Sequence, residues 1–309
     1  MNVFLFPGQG SQEIGMAADL FKDDAPFRDL IRHATDLTKI DLERICLRGP
    51  ERELNRPDRL QPLLVSVSLG YLRHLTAAGI RPDLVLGHSL GEITALAAAG
   101  IVPAETAVAL AAKRGELMAA AASQTPGGLL AVIGGDRAQI LSALSAAIPA
   151  GMPVLANDNA PDQFILSGDT AALEQARQLI ASRHLAHCRR LVVAGPWHSP
   201  LMAAAQREFA AWLATVEFRA PQVPLRFNIT AGEETDPQKI RDLVARNLGE
   251  PVLWRETMAA LRGADNLALF EIGPGRVLSG LARANGLGDP VKIFNVNNLR
   301  GVELATTNR

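Results

Sequence analysis

Residues 83–93 read Asp-Leu-Val-Leu-Gly-His-Ser-Leu-Gly-Glu-Ile, and the fold follows from how this stretch is parsed. Asp83–Leu86 is a short apolar run ended by a glycine, the pattern of a buried strand. An alanine-rich segment over 91–99 has the composition of a helix. Between them stands Gly87-His88-Ser89-Leu90-Gly91, a GxSxG pentapeptide in a strand–turn–helix setting. Such a turn exposes the serine hydroxyl at a helix N-terminus, where amides and dipole favour developing negative charge. Glycines flank the serine because side chains there would collide across a tight turn. Ser89 is therefore the candidate nucleophile. The N–H of Leu90, the residue after it, is the candidate oxyanion donor.

The same alternation of short apolar runs and helical patterns continues on both sides. Val3–Phe6 reads as a strand that runs into Pro7-Gly8-Gln9-Gly10-Ser11-Gln12, and helical spacing covers 59–79 and 104–121. This order predicts an α/β fold with a mainly parallel sheet. The breakers Thr125-Pro126-Gly127-Gly128 mark a boundary. Beyond it the reading is strand 129–133, helix 137–147, strand 153–156, strand 163–167, helix 170–183 and strand 190–194. That βαββαβ order is the ferredoxin-like unit, compact enough to be an inserted subdomain over 125–194. The chain then resumes with helices near 200–216 and 237–248 and strands near 223–229 and 267–272. A polar tail after about 298 is expected to be loose.

Bulk properties exclude several classes of function. The 309 residues are 48% apolar and 20% charged with a net charge of −1, which gives no global attraction to nucleic acid or anionic membrane. Cys46 and Cys188 stand far apart outside any CxxC pattern, so a disulfide framework or zinc site is not expected, and two buried thiols in a reducing compartment are. The start MNVFLFPGQG lacks the basic region of a signal peptide. The apolar stretch 93–112 is interrupted by Gly100, Pro103 and Glu105 and does not read as a membrane span. A cytoplasmic protein is expected.

A serine hydroxyl needs a base to become nucleophilic near neutral pH. His88 is adjacent to Ser89, but its side chain leaves the turn in another direction. His33, His74, His184 and His187 lie in helical or charged surroundings and read as surface or cap residues. His198, in the loop Gly195-Pro196-Trp197-His198-Ser199-Pro200 after a strand, is the preferred base; packing of its ring against Trp197 is the competing reading.

Taken together, these residues resemble the malonyl-CoA:acyl carrier protein transacylases and the acyltransferase domains of fatty acid and polyketide synthases. The resemblance rests on Phe6-Pro7-Gly8-Gln9-Gly10-Ser11-Gln12, Gln61-Pro62, Gly87–Glu92, Arg114-Gly115, Asn157, Asn159, His198-Ser199 and Glu271-Ile272-Gly273-Pro274-Gly275, all in order. It implies an α/β-hydrolase-like catalytic core over 1–124 and 195–309. It also implies a malonyl-Ser89 intermediate formed from malonyl-CoA and passed to the phosphopantetheine thiol of an acyl carrier protein. Within that cycle the resemblance makes His198 the base and then the acid, and places the Gln9 amide beside the Leu90 N–H at the oxyanion. Arg114, a surface arginine by local sequence alone, becomes the clamp for the malonyl carboxylate. Met118 and Met202 become apolar pocket walls.

Two positions depart from the common pattern. Trp197 stands where serine or phenylalanine is frequent, and its ring is expected to shrink the space beside the malonyl C2 carbon and to favour malonyl over methylmalonyl or ethylmalonyl. Asn247 replaces a common glutamine whose backbone carbonyl orients the histidine, and no aspartate completes a triad. No metal or redox cofactor is expected, nor any nucleic-acid or membrane partner, and the chain is expected to be a monomer. A basic rim of Arg183, Arg189, Arg190 and Arg276 is the candidate dock for an acidic carrier. The same scaffold also allows an acyl-thioester hydrolase, or a carrier-docking subunit of a malonate decarboxylase or of a synthase served in trans.

Overall fold

The computed structural model describes residues 1–148 and 153–308. Its strands are β1 (Asn2–Phe6), β2 (Leu84–Gly87), β3 (Gly127–Ile133), β4 (Val154–Ala160), β5 (Gln163–Asp169), β6 (His187–Arg190), β7 (Leu225–Arg226), β8 (Ala268–Ile272) and β9 (Lys292–Val296). They form two sheets. The first is parallel throughout, in the order β7-β2-β1-β8-β9. The second is antiparallel in the order β4-β5-β3-β6, the arrangement of a ferredoxin-like βαββαβ unit.

The parallel sheet explains why its strands read as unbroken apolar runs: helices cover both faces. Phe4, Phe6, Val85 and Phe270 point into the larger core, on the side of the helices Pro57–Ala77 and Gly91–Ala98. Val3, Leu5, Leu84, Leu86 and Leu269 point the other way, into a core that includes Trp254, Met258 and Leu278. Each fully buried side chain of this size contributes about 1.5–3 kcal/mol. A third core under the antiparallel sheet is built from Leu130, Val132, Phe164, Leu166, Leu173 and Ile180.

The strand order places β1 at the centre, with the chain moving first toward β2 and β7 and later toward β8 and β9. Open α/β sheets bind ligands in the crevice beyond the carboxyl ends of strands where the order reverses. The segments that leave β1, β2 and β7 there carry Gln9, Ser89 and Asn228.

Several boundaries differ from expectation. The last strand of the antiparallel sheet is His187–Arg190 and not 190–194, because its register against β3 pairs Leu130 with Arg190. Gly127 and Gly128, read as breakers, begin β3 and pair with Asp169 and Gly168 of β5. The strand near 223–229 is reduced to Leu225–Arg226 at the sheet edge. The segment after 298 is the helix Leu299–Thr307, begun by an Asn298 side-chain cap on the Gly301 N–H. Val302 and Ala305 dock it on the larger core, so amphipathic packing overrides its polar composition. Four helices between Ala18 and Leu54 have no counterpart in the sequence-based expectation.

Candidate active site

Ser89 sits at the tip of the β2-to-helix turn with φ 52°, a left-handed conformation that only surrounding structure can impose on a serine. The helix Gly91–Ala98 crosses so close to β1 that a Cβ on Gly91 would overlap the Phe6 carbonyl. That approach is what demands glycine there. The Gly8–Gln9 loop passes over the same turn, and a Cβ on Gly8 would stand 3.6 Å from the Leu90 amide nitrogen. Leu90 is the N-cap of this helix, and its N–H meets no backbone acceptor among the described residues.

Ser89 Oγ lies 2.7 Å from His198 Nε2. His198 comes from the loop after the antiparallel sheet and also has a positive φ, 55°. Its N–H donates to the Leu248 carbonyl at 3.1 Å, and Nδ1 stands 3.0 Å from the Glu250 carbonyl. With Nδ1–H donated to Glu250, Nε2 is left as the acceptor for the serine proton. Burial pushes the imidazole down to about 3, the charge of Arg114 pushes it the same way, and the Glu250 and Asn247 backbones oppose both. His198 is thus neutral near pH 7 and ready to accept a proton. The expectation for Asn247 changes accordingly. Its backbone contributes, but the carbonyl at hydrogen-bond distance from Nδ1 belongs to Glu250, three residues on, because the chain turns back after the helix Pro237–Arg246. The Asn247 side chain instead joins Arg114 to Glu92.

Arg114 is 2% exposed, although its local sequence reads as surface. Its Nη2 donates to Ser89 Oγ at 3.3 Å and to Asn247 Oδ1 at 3.2 Å, and its Nη1 donates to Gln61 Oε1 at 3.0 Å. All three acceptors are neutral, so among the described residues no carboxylate pairs with the guanidinium that faces the nucleophile. Burial lowers it to about 10, against the attraction of Glu92.

Gly8, Gln9, Ser89, Arg114, Met118, Trp197 and His198 line one cavity of about 300 Å³, closed on the other side by residues of the antiparallel sheet. Met118 is held there by a Gln61 Nε2 donor at 3.0 Å from its sulfur. Trp197 is 4% exposed, and its ring sits so close to Gly195 that a Cβ there would clash. Met202 does not line the cavity. It is buried in the larger core one turn past the loop, so the pocket wall expected of it is not formed. His88 points away from Ser89 to Asn159 Oδ1 at 2.8 Å, with Trp254 edge-on against its ring. Of the expected basic rim, Arg189 lines the cavity, and Arg183, Arg190 and Arg276 are exposed without lining it. Cys46 is buried with its thiol raised to about 12, whereas Cys188 is only half-buried.

Three site residues carry no sequence-based role. Gln61 is a fully buried amide within an apolar helical face. Glu92 and Asn228 form a buried cluster behind the turn: Asn228 Oδ1 accepts the Ser89 N–H at 2.7 Å, its Nδ2 donates to the Gly87 carbonyl at 2.7 Å, and Glu92 accepts from Asn228. Gln61 and Glu92 stand in segments that carry the family resemblance, though without a role there, and Asn228 leaves only the signal of a polar residue between apolar neighbours.

A hydroxyl at hydrogen-bond distance from a neutral histidine, beside the free Leu90 N–H and a buried guanidinium that no carboxylate pairs among the described residues, defines a serine-dependent acyl-transfer site on an α/β scaffold. The chain belongs to the acyl transferase domain family, whose model matches residues 3–286. It is 34% identical over 281 residues to the malonyl CoA-acyl carrier protein transacylase of Haemophilus influenzae, covering 90% of each chain. The solved acyl-carrier-protein S-malonyltransferase of Bartonella henselae superposes with a TM-score of 0.92 at 33% identity, over 99% of this chain and 98% of that one. A malonyl-transacylase solved with its type II polyketide acyl carrier protein matches with a TM-score of 0.92 at 33% identity, over 100% and 99%.

Proposed function

We propose that this chain is an acyl-carrier-protein S-malonyltransferase that works through malonyl-Ser89. The observation that carries the reading is the meeting of two groups at one oxygen: His198 Nε2 at 2.7 Å and Arg114 Nη2 at 3.3 Å from Ser89 Oγ. In the first half-reaction His198 Nε2 takes the Ser89 proton as Oγ attacks the thioester carbonyl of malonyl-CoA. The Leu90 N–H and the Gln9 amide hold the developing oxyanion. The C–S bond then breaks, and the coenzyme A sulfur leaves with the proton from His198. In the second half the phosphopantetheine thiol of a carrier protein gives its proton to His198, attacks the serine ester and releases Ser89 Oγ, which regains the proton.

Arg114 supplies selectivity. A malonyl group ends in a carboxylate that a guanidinium holds by charge-assisted bonds, and an acetyl group has none. Trp197 narrows the cavity beside Arg114 and favours unsubstituted malonyl. Arg189 at the cavity lining suits an acidic carrier. The cycle closes on these side chains without a metal or redox cofactor. We further take 125–194 as a subdomain set into a core of 1–124 and 195–309, and the protein as a cytoplasmic monomer that binds neither membrane nor nucleic acid.

Intact-mass measurement after brief incubation with malonyl-CoA tests the reading. A single malonyl adduct that disappears in Ser89→Ala is expected. Steady release of free coenzyme A without an adduct would favour a hydrolase, and neither signal would favour a carrier-docking subunit.

A further inference from the structure

Glu92 lies one helical turn beyond Ser89 and is 3% exposed. Its Oε2 accepts two N–H groups of Asn228, backbone and side chain, and its Oε1 accepts Asn247 Nδ2 at 3.1 Å. Every partner is a donor. Burial pushes the Glu92 carboxyl up to about 7, and the Asn228 donors, the Arg114 charge and the Asn247 donor pull it back; the geometry, donors on both oxygens, is the one a carboxylate satisfies.

This has a directional consequence, since an amide has one oxygen end and one NH₂ end. Asn228 turns its NH₂ to Glu92 and the Gly87 carbonyl, so its Oδ1 faces the Ser89 N–H. Asn247 turns its NH₂ to Glu92, so its Oδ1 faces Arg114 Nη2 at 3.2 Å. Were either amide reversed, it would present NH₂ to another donor. The carboxylate stays one residue away from the guanidinium and so does not occupy it.

We propose that Glu92 is the positioning residue of this site: its carboxylate sets the direction of two asparagine amides, one holding the strained Ser89 turn and the other aiming Arg114 at the substrate carboxylate. The inference rests on the roles proposed above for Ser89 and Arg114. It separates the two arms. In Glu92→Gln the new amide oxygen takes the place of Oε2, and Asn228 keeps its grip on the turn. The new NH₂ meets Asn247 Nδ2, donor against donor, and Asn247 must reverse and repel Arg114. In Asn228→Ala the clamp is intact and the turn loses its tether.

Self-acylation rates, kcat and KM with malonyl-CoA and with acetyl-CoA test this in Glu92→Gln, Asn228→Ala and the reference Arg114→Ala. Glu92→Gln is expected to lower malonyl transfer by ~10–100-fold, the worth of one hydrogen bond to a charged group, and to leave acetyl transfer within about threefold. Asn228→Ala is expected to lower both donors together by a similar ~10–100-fold. Glu92→Gln with an unchanged malonyl preference, or with both donors lost in parallel with thermal stability, would overturn the inference. If Glu92→Gln does not fold, Glu92→Asp takes its place: it keeps both acceptor oxygens and is expected to retain malonyl preference at reduced rate, and loss of that preference would overturn the inference. An unchanged preference in Arg114→Ala would instead overturn the clamp assignment itself, whereas a response there with none in Glu92→Gln defeats the Glu92 inference alone.

Discussion

Two buried carboxylates, Asp158 and Glu92, serve opposite ends. Asp158 is 1% exposed and sits where β4 of the antiparallel sheet meets the catalytic core. Arg137 and Arg255 both pair with it directly, Arg255 Nε at 3.0 Å from Oδ2, and the neighbouring backbone is stitched by Asp158 N–H to the Val252 carbonyl at 2.9 Å. Glu92 is equally buried, yet among the described residues no cation pairs with it, and Arg114 is reached through Asn247. A direct pair satisfies an arginine on the protein's own carboxylate and builds a seam. An indirect one compensates the buried cation while leaving it free to hold a carboxylate that arrives from outside. The first arrangement suits cohesion between layers and the second suits binding.

The contrast is open to attack, beginning with the largest effect. Arg114→Ala should reduce malonyl self-acylation by ~100–1000-fold, the loss of two charge-assisted bonds, with acetyl transfer little changed. Paired mass and stopped-flow assays read this, and equal loss of both donors would erase the functional side of the comparison. Asp158→Ala should cost about 2–4 kcal/mol of stability in urea titration, because it strands two half-buried guanidinium groups. Malonyl preference should survive in the protein that remains folded. A stable Asp158→Ala variant with altered preference would mean that the seam, too, belongs to the site.

The pH profile gives a smaller effect. His198 must be unprotonated to act, and burial and Arg114 hold it down to about 3, so the acid limb of self-acylation should fall far below the ordinary histidine range. Removing the Arg114 charge should move that limb upward in pH. A limb that stays near the ordinary histidine value in both proteins would show a solvated His198. The smallest effect is expected from Trp197→Ala, which widens the cavity by a ring and should raise methylmalonyl relative to malonyl transfer by roughly tenfold, within the range a pocket contact supplies. An unmoved ratio in a competition assay would remove Trp197 from the selectivity argument.

How much of this was legible beforehand depended on how local each feature is. The Ser89 turn was readable because strand, glycines and helix lie within eleven residues and the constraint on Gly91 is a contact between adjacent segments. His198 was reached by elimination among six histidines, and the structure places it at hydrogen-bond distance. Of the four helices between Ala18 and Leu54, three are of one or two turns and carry too little periodicity to read. The other, Ala25–Thr38, buries Phe27, Ile31 and Ala34 at helical spacing behind an Asp24 cap and was legible in the sequence. Met202 was misplaced because one helical turn separates a cavity wall from the core behind it.

By itself the sequence determined the alternation of strands and helices, the inserted antiparallel unit and the nucleophile turn, all of which depend on spacing along the chain. Only the tertiary structure decided which carbonyl holds His198 and that Arg114 is buried beside Ser89. The same holds for Glu92 lying between two amides of opposite duty. These relations join residues as much as 155 positions apart. Hydrogen-bond direction and burial are properties of neighbours in space, and no local pattern encodes who those neighbours are.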